Sequence, residues 1–324
     1  MFVVPSRLES TPWLGIHIPV GAPICSSRCD QFLIDVVRPV AESACAMRGV
    51  SGYFFVRYTE RSHHIRLRIR IQDVDVVENV MAIVEQQLAL HGRHVGTPQG
   101  FAVGSTGLGA LQCEWVQYEP EVDRYGGADG IRLAEELFIA SSKFALSTID
   151  QAGTNFSRFR LGFSAASMFV AARALHHDMP SVLSYMDHCW RPYVGHAGGS
   201  LRSNHTNLSL SDLERAFSAQ SDRWTNLIDR LCADNEADDQ RSSFDAYGGA
   251  LLTTFTHLAR LFATESLRIA PLGPTDWLST ASRLLRSYSH MTNNRLGVSI
   301  PDEAFVAYAA CKALSSRLAA CRSQ

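Results

Sequence analysis

From His63 to Ile71 polar and apolar residues alternate in step. Ile65, Leu67, Ile69 and Ile71 fall on one side of an extended chain, and His64, Arg66, Arg68 and Arg70 fall on the other, because strand side chains repeat with a period of two. Around this strand the pattern predicts three more. Trp13–Val20 is a first strand between Pro12 and a Pro/Gly turn. Tyr53–Tyr58 is a second, joined to the third through Thr59–Ser62, and Leu111–Tyr118 is a fourth. A helix capped by Ser27 or Asp30 follows the first strand, with Pro39 predicted to kink its later part. A second helix runs from Asp73 to Gly92, and a glycine-rich connection occupies Gly96–Gly109. The order strand, helix, strand, strand, helix, strand is ferredoxin-like.

Beyond Ile131 apolar residues recur at helical spacing. Helices are predicted over Ile131–Ile149, Phe156–His176, Ser181–Trp190, Leu210–Ala233, Phe244–Ala263, Trp277–Met291 and Asp302–Leu318, with Ala233–Ser243 as a solvated loop. The fold class is therefore α+β: a ferredoxin-like mixed sheet over residues 1–127 and a mainly helical portion over 128–324, in one domain.

The chain has 324 residues, 46% of them hydrophobic and 19% charged, with a formal net charge of -2. That balance suits a soluble protein with a large core. It argues against direct nucleic-acid binding, which needs clustered cations. The eight cysteines are scattered without a Cys-x-x-Cys pair, as in a reducing cytoplasm. No secretory signal or membrane-spanning run is read, so a cytoplasmic location with no membrane partner is expected.

Several stretches are weighed for candidate chemistry. The row Arg66, Arg68 and Arg70, about 7 Å apart on one strand face, can grip a carboxylate with planar forks. Tyr118–Gly127 (Tyr-Glu-Pro-Glu-Val-Asp-Arg-Tyr-Gly-Gly) sets Glu121, Arg124 and Tyr125 on a loop leaving the sheet, since Pro120 cannot join a ladder. Gly104–Gly109 has the glycines of a phosphate loop but not its Gly-Lys-[Ser/Thr] ending, and no cofactor is implied. His63-His64 and His176-His177 are adjacent pairs whose side chains diverge, which suits no metal. The last stretch, Ser289–Gly297, places His290 and Arg295 near the end of an apolar helix.

Taken together, His-His-Ile-Arg-Leu-Arg at 63–68, the Tyr118–Gly127 stretch, Ala-Glu-x-x-Phe-x-x-Ser at 134–141 and His-Met-Thr-Asn-Asn-Arg-Leu-Gly at 290–297 resemble the C-terminal elimination domain of lantibiotic dehydratases. The likeness is to its free-standing version in thiopeptide biosynthesis, and it runs from Trp13 to Leu318. It implies a RiPP pathway in which a separate, tRNA-dependent protein esterifies Ser or Thr of a leader-bearing precursor peptide with glutamate. The chain in hand then removes the glutamate, leaving dehydroalanine or dehydrobutyrine. A homodimer is compatible with the sequence.

The resemblance assigns His290 to proton transfer, which suits a side chain that ordinarily titrates near neutrality. It assigns Arg66 and Arg68 to the glutamyl carboxylates or the developing oxyanion, and Arg124, oriented by Glu121, to a further anion contact. Arg70, Tyr125 and Arg295 are read as substrate-binding positions. The expected layout turns the basic strand face toward the helices, so that Arg66, Arg68, Arg124 and His290 meet in one cleft. Two alternatives stand beside elimination. One is a thiopeptide pyridine synthase, which joins two dehydroalanines in a formal [4+2] cyclisation and expels the leader. The other is a non-catalytic scaffold that presents the precursor peptide.

Overall fold

A computed structural model describes residues 13–59, 62–92, 101–103, 111–194, 208–233, 241–267, 269 and 276–322. The chain divides into two compact units, Met1–Ser157 and Arg158–Gln324. Among the described residues no helix is long and apolar enough to cross a membrane.

The first unit is built on a five-stranded sheet of order β2-β3-β1-β5-β4. Its strands are β1 (Trp13–Pro19), β2 (Val50–Tyr58), β3 (His64–Ile71), β4 (Phe101–Val103) and β5 (Leu111–Gln117). The four long strands pair antiparallel in the ferredoxin-like order. The short β4 joins β5 in parallel inside the stretch expected to be a plain loop. The Gly104–Gly109 run lies outside the described residues.

Between β1 and β2 lie α1 (Ser27–Phe32), a π-helical turn Leu33–Val37 and α2 (Arg38–Cys45). The helix cap is Ser26, whose side chain accepts from the Cys29 amide, and not Ser27 or Asp30. Pro39 sits at the start of α2. The irregularity lies ahead of it, where the Arg38 amide reaches back to the Leu33 carbonyl in a wide turn. α3 (Val77–Gly92) precedes β4, and its Glu85 carboxylate accepts the Trp115 indole N–H at 3.0 Å.

One sheet face carries Ile16, Ile18, Phe55, Ile65, Leu67 and Ile69, all fully buried. Arg57 shares this face, because it alternates with Phe55 and pairs in register with Ile65. A lone cation there would be intolerable. Its guanidinium is met by buried Asp30 at 2.8 Å and by the Ile24 carbonyl at 2.6 Å.

The other face carries the remaining β3 side chains and is covered along β2 by α4 (Gly127–Ala152). Phe138 of α4 meets Phe54 at a tilt, with ring centroids 5.4 Å apart. Ser142 accepts the Phe55 amide at 3.1 Å. Gly52 leaves room for Ile139, which a Cβ would approach to 2.8 Å.

The second unit holds α5 (Phe156–Leu175, whose first residues fall in the first unit), α6 (Met179–Trp190), α7 (Leu210–Ser218), α8 (Ser221–Cys232), α9 (Arg241–Ala263), α10 (Trp277–Arg295) and α11 (Ile300–Arg322). The single helix expected over Leu210–Ala233 is broken, because Gln220 leaves the helical conformation and α8 restarts after it. Most of the expected loop at 233–243 lies outside the described residues, and Arg241–Ser243 already belong to α9. α11 packs on α6, α7 and α8 through a buried face rich in alanine, including Ala304, Ala307 and Ala310, which lets backbones approach closely.

Replacing Arg57 with Ala strands the Asp30 carboxylate inside the first unit. Urea denaturation should show a loss of about 3–5 kcal/mol. The double change Arg57→Met with Asp30→Leu should recover most of it, since two apolar groups need no compensation.

Candidate functional site

The polar face of β3 is built from groups that cannot neutralise one another. Register sets Trp13, Gly15 and His17 of β1 opposite Arg70, Arg68 and Arg66, while Gly52, Phe54, Val56 and Tyr58 of β2 flank them on the other side. Cations are thus surrounded by rings.

Arg66 lies over Tyr58, its guanidinium carbon 3.2 Å from the ring centroid. Its Nε donates to His64 Nε2 at 3.3 Å, and His64 Nδ1 contacts the Ser62 carbonyl at 2.9 Å. Those two contacts select the neutral His64 tautomer with its proton on Nδ1. Arg70 is tied down by a carboxylate: it pairs with Glu136 of α4 and donates to Ser51 at 2.7 Å.

Arg68, at the centre, differs from both. It is 6% exposed, and among the described residues no carboxylate pairs with it. Its contacts are the Leu67 carbonyl at 3.2 Å, His17 Nε2 at 3.5 Å and the Tyr118 ring at 5.7 Å. Gly15 makes the space, since a Cβ there would lie 3.0 Å from an Arg68 nitrogen and 2.5 Å from the Val116 carbonyl oxygen. Burial, and then repulsion from Arg66, pull the Arg68 guanidinium down to about 10. Burial and the charges of Arg68, His64 and Arg66 push His17 down to about 3, so its ring is neutral. An anion arriving here would meet a desolvated cation that no acid pairs with among the described residues, although Glu135 lies beside Tyr118 and Glu114 is close enough to act on His64.

Glu135 was quoted above only as part of a motif, yet α4 buries it at 8% exposure beside Trp13 and Tyr118. Burial pushes its carboxyl upward against the pull of Trp13, Tyr118 and Arg70. A glutamate in the apolar stripe of Ile131, Ala134 and Phe138 is the signal that could have found it.

The loop after β5 turns through a 3₁₀ segment, Val122–Arg124, and enters α4 through Gly126 and Gly127, whose φ angles of 98° and 89° favour glycine. Glu121 and Arg124 pair at 2.9 Å, both with substantial exposure. Tyr125 is in the core at 1% exposure, edge-on to Phe138 at 5.2 Å.

His290 belongs to the second unit. Its Nδ1 is 2.8 Å from Glu303 of α11, a carboxylate 5% exposed, while the imidazole is 32% exposed. With Nδ1–H directed to the carboxylate, the neutral ring carries its lone pair on Nε2, as a general base requires. Glu303 was not singled out from the sequence. Its place among the buried Ala304, Val306 and Ala307 was the available cue.

The rest of the His290 motif holds the helix end. Thr292 bonds Tyr247 at 2.9 Å, Ser164 donates to Asn293 at 2.7 Å, and Arg160 donates to the Leu296 and Gly297 carbonyls at 3.1 and 3.0 Å. Arg295 is fully buried and donates to the Met291 carbonyl at 2.9 Å. Of the expected site residues, then, Arg66, Arg68 and Arg70 share a strand face, Glu121 and Arg124 share a turn, and His290 and Arg295 lie in the second unit on α10.

The family model described as lantibiotic biosynthesis dehydratase C-term matches residues 13–314. The nisin biosynthesis protein NisB of Lactococcus lactis subsp. lactis is 27% identical over 138 residues, which make up 42% of this chain and 12% of NisB. Among solved structures, the tRNA-dependent lantibiotic dehydratase MibB of Microbispora sp. 107891 is similar at a TM-score of 0.70 and 20% identity, covering 99% of this chain and 29% of MibB. The pyridine synthase TbtD from thiomuracin biosynthesis is similar at a TM-score of 0.65 and 15% identity, covering 94% of this chain and 98% of TbtD. The chain thus spans a minor share of the lengths of NisB and MibB.

The depressed His17 gives the first unit an acid-side stability slope. The unfolded chain takes up the His17 proton near pH 6.5 and the folded chain only near pH 3, so this stability is complete above about pH 6.5 and is lost as pH falls toward 3. His64, also depressed by burial, adds in the same direction. His17→Gln with His64→Gln should flatten the decline in denaturation midpoint across that window. An unchanged slope would show that other groups set it.

Proposed function

Because the chain belongs to the lantibiotic biosynthesis dehydratase C-terminal family, we propose that it eliminates glutamate from glutamylated Ser or Thr of a ribosomally made precursor peptide. The observation that carries this reading is Arg68, a buried cation with no carboxylate partner among the described residues, set in a face of rings and neutral histidines. Such a site favours an incoming carboxylate because the guanidinium is buried and no ion pair among the described residues already holds it.

In the reaction, His290 Nε2 takes the α-proton of the glutamylated residue. The C–H electron pair becomes the Cα=Cβ bond, the Cβ–O bond breaks, and glutamate leaves with that pair as a carboxylate. Glu303 holds the imidazole and offsets the charge it gains. Arg68 takes the carboxylate that leaves or the enolate-like oxygen that forms, with Arg66 beside it. Arg124 adds an anion contact on the loop, positioned by Glu121. Arg70, already held by Glu136, supports the face. A separate tRNA-dependent glutamylation protein supplies the ester.

Mass spectrometry of a glutamyl-Ser peptide incubated with the purified chain tests the reading. Glutamate should be lost and dehydroalanine formed without ATP or tRNA, and a fully dehydrated precursor should pass unchanged. Cyclisation of the dehydrated precursor with release of its leader would make the chain a pyridine synthase, and binding without turnover of either peptide would make it a scaffold. His290→Ala should lower elimination by roughly two to four orders of magnitude with the fold intact. Arg68→Ala should lower it by at least about tenfold, the worth of a charge-assisted contact.

A further inference from the structure

The second unit contains a cavity of about 490 Å³ between α6 and α10. Its lining includes His176, Tyr185, His188, Ser282, Arg283 and Arg286, and no carboxylate. Arg286 is exposed, and among the described residues no acid pairs with it. The acids at its border are already engaged: Asp178 accepts from Ser181 of the lining and acts on His176, Asp276 accepts from the Ser279 amide, and Asp187 pairs with Arg191.

His176 is 6% exposed, and its Nε2 atom has no hydrogen-bond partner among the described residues. A buried imidazole nitrogen left without a partner is costly unless a ligand or water meets it. The remaining lining includes Ser184, Ser279 and Ser282, whose hydroxyls can donate to an anion, while the Ser181 hydroxyl already donates to Asp178 at 2.8 Å.

The position of the cavity adds to its chemistry. Arg283, Arg286 and His290 are spaced by three and four residues on α10, so they lie along one face of the helix, about 5.4 Å per turn. Ser289, next to His290, bonds the hydroxyl of Tyr185, which is itself in the cavity wall, at 2.8 Å.

We propose that this cavity is a carboxylate-binding subsite one to two helical turns from His290, which holds an acidic group of the peptide substrate or the released glutamate. The assignment of the ligand as a substrate group rests on the elimination reading; the carboxylate binding itself does not.

The test is fluorescence anisotropy with the full chain and a labelled, end-blocked synthetic peptide bearing three glutamates, beside the same peptide with glutamines. The glutamate peptide should bind, and Arg286→Ala should weaken it by about tenfold, with Arg286→Glu weakening it further. Arg158→Ala, which removes an exposed arginine on α5, should leave binding unchanged. Displacement of the peptide by free L-glutamate, lost in Arg286→Ala, identifies the leaving group as occupant; binding of the peptide without such displacement identifies a side chain of the peptide. Equal affinity for the glutamine peptide, or equal affinity of wild type and both Arg286 variants, overturns the proposal. Binding is read without turnover, so a chain that binds the acidic peptide yet forms no dehydroalanine would lose the elimination reading and keep this site. Elimination with an unchanged KM in Arg286→Ala would give the reverse.

Discussion

A sheet covered on both faces has to find surroundings for every side chain that alternation sends to either side. β3 meets this constraint in two ways. Its isoleucines and Leu67 enter an ordinary apolar layer, while its cations face a second layer that is aromatic around Arg66 and Arg68. Burying a guanidinium costs several kcal/mol when nothing of opposite sign accompanies it. The first unit accepts that cost at Arg68 but not at Arg57, which has Asp30, nor at Arg70, which has Glu136. The contrast among three arginines in one small sheet separates scaffold from candidate chemistry.

In the second unit the imidazole of His290 depends on the opposite arrangement, an acid already in place. Glu303 is the buried member of that pair, and the Thr292, Asn293 and Arg295 positions fasten the end of α10 so that the pair keeps its geometry. An imidazole oriented by a buried carboxylate and a buried cation lacking one are the two arrangements on which the proposed elimination rests.

The sheet order and the two faces of β3 were legible because period two is a strong local signal. So were most helix spans. The irregularities were not. Arg57 carries no distinguishing signal in the sequence, and only the tertiary fold sets Asp30 against it. The π-turn before Pro39 and the break at Gln220 are announced by no single residue type. Arg68 was legible as a cation in a row, but its difference from Arg70 depends on Glu136 and Gly15, both distant in the chain. Tyr125 and Arg295 carried polar atoms in motif positions and proved to be core residues, since a motif marks what a fold needs as well as what a reaction needs.

The contact between α4 and β2 also governs how the sheet can meet another polypeptide. An outer strand ordinarily presents a row of unsatisfied amides and carbonyls, to which an extended segment can add as one more strand. At Phe55 that row is closed, because Ser142 accepts the amide, and Ile139 and Phe138 lie over Gly52 and Phe54 on the adjoining face. At the far side the sheet ends in β4, three residues long and running parallel to its neighbour. A segment adding along β2 would have to displace Ser142 from the Phe55 amide, a local barrier to strand addition by another polypeptide and to pairing of this strand with its own copies.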